Sequence, residues 1–192
     1  MTILDVSSLN AGLGELVTGV RAVTRRPTDW QRTAERTAQA LATHLPSGAE
    51  VLQALPHGVP ESDEVRSQPL YVEPDGSFSI VALLLRPGQQ TVIHDHVTWC
   101  AVAVIDGLER EDLFALDDTG TRLTPVRSDL NHAGDVSGFA PPGDIHRIRN
   151  VGAGLSISVN VYGTDVARIG SSVRRTYDPS LLQSAGLVVP AR

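Results

Sequence analysis

From about residue 50 onward, the chain is a succession of short apolar or alternating runs, each ended by a turn signal. The turn signals contain glycine together with proline or aspartate, and they stand at residues 73–76, 86–88, 106–107, 117–120 and 141–144. Many short strands at such regular spacing are typical of an antiparallel sandwich or barrel. The sequence therefore predicts a mainly β fold for this part of the chain.

The first third of the sequence has a helical periodicity instead. Apolar residues recur at the spacing of one helix face at Leu9, Leu13, Leu16, Val17 and Val20. A second helical pattern follows Asp29 over residues 30–44 and ends at Pro46. We therefore expect one domain, in which an N-terminal helical segment, residues 1–48, packs on a barrel formed by residues 49–192. After Arg168 the pattern weakens, and Pro179 and Pro190 predict an irregular C-terminal strap.

The composition limits which binding partners and which cellular compartment suit this protein. The formal net charge of −6 argues against a nucleic-acid partner, which usually needs a basic face. A single cysteine permits no internal disulfide and suits a reducing compartment. The sequence does not open with a basic segment followed by an apolar one, and its longest apolar runs, residues 80–85 and 100–105, are too short to span a bilayer. We expect a cytoplasmic protein that binds neither nucleic acid nor membrane, with its oligomeric state open.

The clearest strand pattern lies at residues 155–162. Aliphatic side chains alternate there with polar ones, in the order Leu155, Ser156, Ile157, Ser158, Val159, Asn160, Val161 and Tyr162. A period of two directs the aliphatic and polar sets to opposite faces of a strand. The polar face is either the wet side of an edge sheet or a lining that points into the mouth of a barrel.

Two histidines stand two residues apart in the strand-like segment TVIHDHVTWC. Because strand side chains alternate, His94 and His96 leave the same face and can share one metal ion. The sole cysteine, Cys100, follows four residues after His96. The remaining histidines have no such surroundings and are interpreted as structural or surface residues, namely His44, His57 and His132.

The spacing within residues 88–107 resembles the first motif of the cupin superfamily, with Cys100 where many cupins carry a glutamate ligand. Residues 134–150 resemble the second motif, one residue longer than the usual pattern, and they supply His146. The resemblance implies a cupin double-stranded β-helix, or jelly-roll barrel, with His94, His96 and His146 around one metal ion. Three neutral imidazoles suit iron, zinc, copper or nickel. They would leave the ion its full charge, which would match an anionic chelating substrate.

A closer resemblance covers residues 68–177. The thiol dioxygenases, the family of cysteine dioxygenase and 3-mercaptopropionate dioxygenase, have segments similar to FSIVALLLRPGQQTVIHDHVTWC, GDIHRIRN and SISVNVYG. Members of this family bind ferrous iron through three histidines and convert a thiol to a sulfinate with O2. The resemblance implies one Fe(2+) per chain, bound by His94, His96 and His146.

The same resemblance assigns residues around the iron. Where the family has Ser-x-His-x-Tyr, this chain has Ser158, Asn160 and Tyr162, so that asparagine replaces the central histidine. In the family this relay orients the tyrosine hydroxyl over the iron. Asn160 can donate and accept hydrogen bonds but cannot titrate near neutral pH. Whether it preserves the function of the relay stays open.

Cys100 has two interpretations. In animal cysteine dioxygenases, the cysteine at this place is bonded covalently to the active-site tyrosine, which implies a Cys100–Tyr162 thioether here. The other interpretation is a small buried apolar residue, which free cysteine often is.

The identity of the substrate is predicted from four residues. Gln68 stands where the cysteine enzymes have an arginine for the substrate carboxylate, and Trp99 completes a His-x-His-x-x-Trp segment; both resemble the mercaptopropionate branch. That branch takes its carboxylate-binding arginine from a Val-Arg-Arg segment, which implies Arg175 as the first choice and Arg174 as the second. A guanidinium group fits a carboxylate with two parallel hydrogen bonds. Two adjacent arginines are equally consistent with solvated surface charge.

The resemblance thus implies an iron-dependent enzyme that converts a small carboxylated thiol, similar to 3-mercaptopropionate or cysteine, to its sulfinate with both atoms of O2. Two alternatives stay open. One is another metal-dependent cupin enzyme, an isomerase, lyase or non-thiol dioxygenase that uses nickel, zinc or manganese. The other is a non-catalytic cupin that binds a ligand.

Overall fold

The structure, a computed structural model, describes residues 9–26, 28–59 and 65–182. The first eight residues, on which the prediction about a signal peptide rests, and Pro190 lie outside these ranges. Within the ranges, no helix is both long enough and apolar enough to cross a membrane.

Three helices come first, α1 (Ala11–Thr24), α2 (Trp30–Thr43) and α3 (Gly48–Ala54). The first two confirm the two helical patterns of the sequence. The third was not predicted, although it begins at a capping box in which Ser47 accepts the backbone N–H of Glu50 and the Glu50 side chain accepts that of Ser47. The Glu50 carboxylate also accepts the backbone N–H of Gly12, which ties α3 to α1.

Ten strands and one short helix form most of the remaining chain. They are β1 (Arg66–Val72), β2 (Ser79–Leu85), β3 (Ile93–His96), β4 (Cys100–Asp106), β5 (Leu108–Leu116), β6 (Leu123–His132), β7 (Val136–Phe139), β8 (His146–Asn150), β9 (Ser156–Tyr162), α4 (Val166–Ile169) and β10 (Val173–Tyr177). The strands form two five-stranded antiparallel sheets, the first with the order β1-β2-β9-β4-β7 and the second with the order β10-β3-β8-β5-β6. This arrangement confirms the predicted mainly β, cupin-type double-stranded β-helix with a helical N-terminal segment.

The alternating segment at residues 155–162 turns its polar side chains toward the inside of the barrel. Its strand, β9, is central in the first sheet, between β2 and β4. Ile157, Val159 and Val161 are buried in one cluster with the helices. Because strand side chains alternate, Ser158 and Asn160 point the other way, into the barrel. The barrel-lining interpretation is therefore correct, and the edge-sheet interpretation is wrong.

The main hydrophobic core lies between the helices and the outer face of the first sheet. Leu13, Leu16 and Leu41 of the helices are fully buried against Ile80 and Val161 of the sheet. Since this layer supplies most of the apolar burial, the interior of the barrel can hold polar side chains.

A glycine on β7 permits the close approach of α2. A Cβ atom on Gly138 would lie 2.5 Å from the backbone oxygen of Ala34, which a rotamer change cannot move. We expect Gly138→Ala to lower the free energy of unfolding by about 1–3 kcal/mol, as overpacking usually does. Gly154→Ala is the matched control, because a Cβ there meets nothing within 4 Å. Urea unfolding of both variants measures the difference, and equal stabilities would contradict the close packing of α2 on β7.

The segment after Arg168 was predicted as an irregular strap, yet part of it is a strand. β10 pairs antiparallel with β3 and sets Thr176 opposite His94. A single 3₁₀ turn follows at Pro179–Leu181. Without β10, β3 would be an edge strand with unpaired backbone N–H and C=O groups. The pairing therefore holds β3 between β8 and β10.

Candidate metal centre

The three histidines predicted as metal ligands meet inside the barrel. His94 and His96 lie on β3, and His146 begins β8, directly opposite His94. All three side chains are buried, and their ligand atoms lie within 4.8 Å of one another. Their ring centroids are 4.7–5.0 Å apart. The fold thus brings together imidazoles from two stretches of chain about fifty residues apart.

Each of the three imidazoles is oriented by a hydrogen bond at Nδ1. His94 Nδ1 lies 2.9 Å from the backbone oxygen of Val92. His96 Nδ1 is 3.1 Å from Asp144 Oδ2, and His146 Nδ1 is 2.7 Å from Glu111 Oε1. Because these partners are carbonyl or carboxylate oxygens, Nδ1 is the protonated nitrogen in each ring. The lone pair of each imidazole is therefore at Nε2, the usual arrangement for a metal ligand.

The free Nε2 atoms fit a transition-metal ion. His146 Nε2 is buried and has no hydrogen-bond partner among the described residues. Burial, reinforced by the nearby His146 and His96, lowers the pKa of His94 to about 3. Burial also lowers the pKa of His96, although Asp144 opposes it. Neutral imidazoles suit iron, zinc, copper or nickel, so the three histidines could hold such an ion.

Two buried carboxylates behind the histidines were missed in the sequence. Burial alone would raise the pKa of Glu111, but its hydrogen bond with His146 brings the pKa below its ordinary value. The pKa of Asp144 is lowered against burial in the same way, by the imidazole and backbone N–H groups of His96. Two negative charges therefore lie directly behind the histidines that could hold an ion.

The positions of both carboxylates in the sequence indicate that they could orient the histidines. Glu111 follows Glu109 by two residues on β5, where period two turns both into the barrel. Asp144 stands two residues before His146, in the turn that leads into β8. Acidic residues at such positions commonly orient histidine ligands.

Tyr162 lies beside the histidines. Its ring centroid is 5.6 Å from that of His96. Cys100 is directly opposite Tyr162 in the pairing of β4 with β9, and the buried thiol lies within hydrogen-bonding reach of the phenol. Burial, and then Cys100, raise the pKa of Tyr162 above its ordinary range, so the phenol stays protonated. Ser172, a residue that sequence reasoning missed, also contacts the Tyr162 hydroxyl.

The Ser-Asn-Tyr series does not form a hydrogen-bonded relay. Asn160 lines the cavity beside the histidines, but its amide has no hydrogen bond to any described residue. The Ser158 hydroxyl is buried beside the carboxyl group of Glu109 without a hydrogen bond of good geometry. The neighbours that position the Tyr162 hydroxyl are Ser172 and Cys100 instead.

Glu109 makes the stability of the protein depend on pH. Burial raises the pKa of this carboxyl from 4.5 to about 7, against the opposing effect of Ser156 and Ser158. The folded state then binds this proton more tightly than the unfolded state, so the contribution of Glu109 to stability falls by about 3 kcal/mol as the pH rises from about 4.5 to about 7. Because the lowered pKa of His94 acts in the opposite direction below pH 6.5, we expect the effect as a change with pH in the stability difference between the wild type and Glu109→Gln. Urea unfolding of the metal-free protein across this range measures it.

The exposed Glu15 provides the control for this experiment, because Glu15→Gln removes one carboxyl without changing a buried group. A stability difference between Glu109→Gln and the wild type that stays constant with pH would show that Glu109 titrates normally.

Two of the predicted substrate-binding residues, Gln68 and Trp99, make contacts within the protein. Gln68 is buried, donates to the backbone oxygen of Gly58 at 2.8 Å and accepts the backbone N–H of His57. Trp99 is part of the main core and covers Gly163, where a Cβ atom would lie 2.1 Å from the indole nitrogen. Neither lines the cavity beside the histidines.

The two predicted carboxylate-binding arginines also lie outside that cavity. Arg174 Nη2 is 2.5 Å from Asp95 Oδ2, and Arg175 Nη2 is 3.5 Å from the same oxygen. Asp95 stands between His94 and His96 on β3, so its side chain leaves the opposite face of the strand. Arg175 also lies over the ring of Tyr177, with its guanidinium carbon 4.7 Å from the ring centroid. Both guanidinium groups therefore form ion pairs with a carboxylate of the protein itself.

A cavity of about 690 Å³ adjoins the histidines. His94, His146, Asn160 and Tyr162 are among the eighteen described residues that line it. The cavity therefore gives a ligand access to two of the three histidines, His94 and His146.

No protein-family model matches the chain. Among solved structures, it is similar to a cupin 2 conserved barrel domain protein from Salinispora arenicola, with 20% identity, a TM-score of 0.43, and 59% of this chain and 89% of the other covered. It is also similar to a conserved protein with a double-stranded β-helix domain from Klebsiella pneumoniae, with 20% identity, a TM-score of 0.45, and 56% and 78% covered.

A third similar structure is a mutant of oxalate decarboxylase from Bacillus subtilis, with 21% identity and a TM-score of 0.45. The likeness covers 58% of this chain but spans only 29% of the decarboxylase. Similarities below 25% identity and below a TM-score of 0.5 say nothing about the activity of this chain. The architecture therefore rests on the strand order described above.

Proposed function

We propose that the protein is a non-haem Fe(II) thiol dioxygenase that converts a thiol to its sulfinate with O2. The observation that carries the proposal is the group of three buried imidazoles, each with Nε2 free, beside the protonated phenol of Tyr162. The resemblance of the motif segments to thiol dioxygenases supports iron over the other metals that imidazoles bind. In the overall reaction, RSH and O2 give RSO2⁻ and H⁺, and the sulfur supplies all the electrons that the oxygen takes up.

The residues of the site would have different roles in the proposed reaction. Bound by His94, His96 and His146, Fe(II) would supply one centre at which the thiol and O2 meet. Glu111 and Asp144 keep two of the imidazole rings oriented, so that the ligand geometry need not reorganise during the reaction. The phenol of Tyr162 donates a hydrogen bond toward the reacting oxygen, because its raised pKa keeps the proton on it.

The proposal includes a Cys100–Tyr162 thioether. The two residues are partners in the pairing of β4 with β9, and thiol and phenol are neighbours. Formation of the bond would remove the S–H hydrogen and one ring hydrogen, with O2 as the oxidant. Intact-protein mass before and after turnover tests this step, since the crosslinked chain is lighter by the mass of two hydrogen atoms. An unchanged mass after extensive turnover leaves Cys100 as a buried apolar residue.

The proposed reaction is tested by O2 uptake with anaerobically iron-loaded protein. The thiols are cysteine, 3-mercaptopropionate, cysteamine, mercaptosuccinate and the neutral 2-phenylethanethiol, and mass spectrometry identifies the sulfinate. Uptake of O2 in proportion to the sulfinate formed supports the proposal. Metal-dependent turnover without a sulfinate would indicate another cupin enzyme. Ligand binding without any O2 uptake would indicate a binding protein.

A further inference from the structure

We infer that the thiol is an uncharged molecule with a largely apolar body, rather than a small carboxylated thiol. This inference rests on the proposed function and names its substrate class. It follows from the lining of the cavity, from the ion pairs of two nearby arginines and from the size of the cavity.

Among the described residues, the lining of the cavity has no side chain that could form an ion pair with a carboxylate. None of the eighteen described lining residues is Asp, Glu, Lys or Arg. Eight of them are aliphatic or proline, and they include the buried Val81, Ile148 and Val166. A carboxylate in these surroundings would lose its hydration without gaining an ion pair, which is unfavourable. An apolar group would instead gain from burial against these side chains.

The two arginines that follow the lining residue Val173 are directed elsewhere. Another arginine, Arg149, donates to the side-chain oxygen of Gln90 at the cavity opening. Arg174 and Arg175 both contact Asp95, on the face of β3 opposite to His94 and His96. Tyr177 donates a further hydrogen bond of 2.8 Å to the same carboxylate. Releasing either arginine toward the cavity would leave the fully buried Asp95 with fewer partners, at a large energetic cost.

The cavity has room for a ligand larger than a three-carbon thiol. A volume of about 690 Å³ lies within the range of about 300–1,000 Å³ that is common for pockets of drug-sized ligands. The buried Val81 and Ile148 mark its inner part, whereas the exposed Ser67 and Gln90 mark its opening. A body of the size of a phenylethyl group would cover the apolar inner wall and leave neutral polar side chains at the entrance.

The test compares thiol binding by the anaerobic Co(II)-substituted protein, read from the thiolate-to-Co(II) absorption band. We expect 2-phenylethanethiol and methyl 3-mercaptopropionate to bind at least about tenfold more tightly than 3-mercaptopropionate, a difference of about 1.4 kcal/mol. The methyl ester is the sharper comparison, because it differs from the acid only in the masked charge and one methyl group. Tighter binding of 3-mercaptopropionate or cysteine than of both neutral thiols would overturn the inference.

An added charge tests the lining directly. Ser67→Arg places a guanidinium group at the exposed edge of the cavity, where it should strengthen the binding of 3-mercaptopropionate about tenfold and leave 2-phenylethanethiol nearly unchanged. Ser77→Arg, in the exposed turn after β1, is the matched control and should change neither affinity. Equal effects of the two variants would contradict a ligand body seated in this cavity.

This binding assay is separate from the assay of the reaction. Preferential binding of neutral thiols without O2 uptake by the iron-loaded protein would overturn the proposed function and support the substrate class. Sulfinate formation from carboxylated thiols, with weaker binding of neutral ones, would support the function and overturn the substrate class.

Discussion

Replacing His94 with alanine will give a folded protein that no longer retains a divalent metal ion. His94 supplies one of three imidazole ligands, and its only hydrogen bond is to the backbone oxygen of Val92, so its removal leaves no buried charge unpaired. Since loss of a residue that merely orients a ligand costs about 10–100-fold in metal affinity, loss of the ligand itself should cost more than about 100-fold. Metal analysis after dialysis against Fe(II) or Co(II) under anoxia measures the loss.

Thermal unfolding gives an independent measure of the same effect. Metal at about 100 times its Kd should stabilise the wild type by about 2.7 kcal/mol and should leave His94→Ala unchanged. His132→Ala is the matched control, because His132 is exposed on β6 and away from the three ligands. Full metal retention by His94→Ala would remove the three-histidine centre as the binding site.

Replacing Glu111 with glutamine will weaken metal binding without removing a ligand. The glutamine oxygen can still accept the hydrogen bond from His146 Nδ1, but the negative charge that makes this imidazole a stronger donor is lost. We expect the metal affinity to fall by about 10–100-fold with the fold retained. Competition with a chelator of known affinity, at constant pH, measures the change.

Glu109→Gln is the control for this variant, because it neutralises a buried carboxyl on the same strand that has no hydrogen bond to a histidine ligand. Measured at about pH 8, where Glu109 is ionised despite its raised pKa, an equal loss of affinity in both variants would show that the total charge of the barrel, rather than the contact with His146, sets the affinity.

The sequence was informative wherever a local pattern dictates structure. The period of two at residues 155–162 identified β9, and the pair His94 and His96 had to leave one face of a strand. The capping position Asp29 marked the start of α2. These features depend on neighbouring residues alone, so the printed sequence contains them in full.

The sequence was not informative where a contact between side chains depends on how distant strands pair. Arg174 and Arg175 were candidates for a substrate carboxylate because of their neighbours in sequence. Their partner, Asp95, becomes apparent only once β10 pairs with β3 and sets Arg175 opposite it. Glu111 was overlooked for a similar reason, since its contact with His146 arises from the pairing of β5 with β8.

The position of β10 has a consequence for the order in which the molecule is completed during synthesis. β3, which carries two of the three histidines, exchanges backbone hydrogen bonds with a strand about eighty residues further along the chain. Contacts between such distant segments form slowly and late in folding. The chain beyond Tyr177 must therefore leave the ribosome before β3 gains its second neighbouring strand. Nascent chains stalled short of that point would bind metal weakly, even though all three histidines had already emerged.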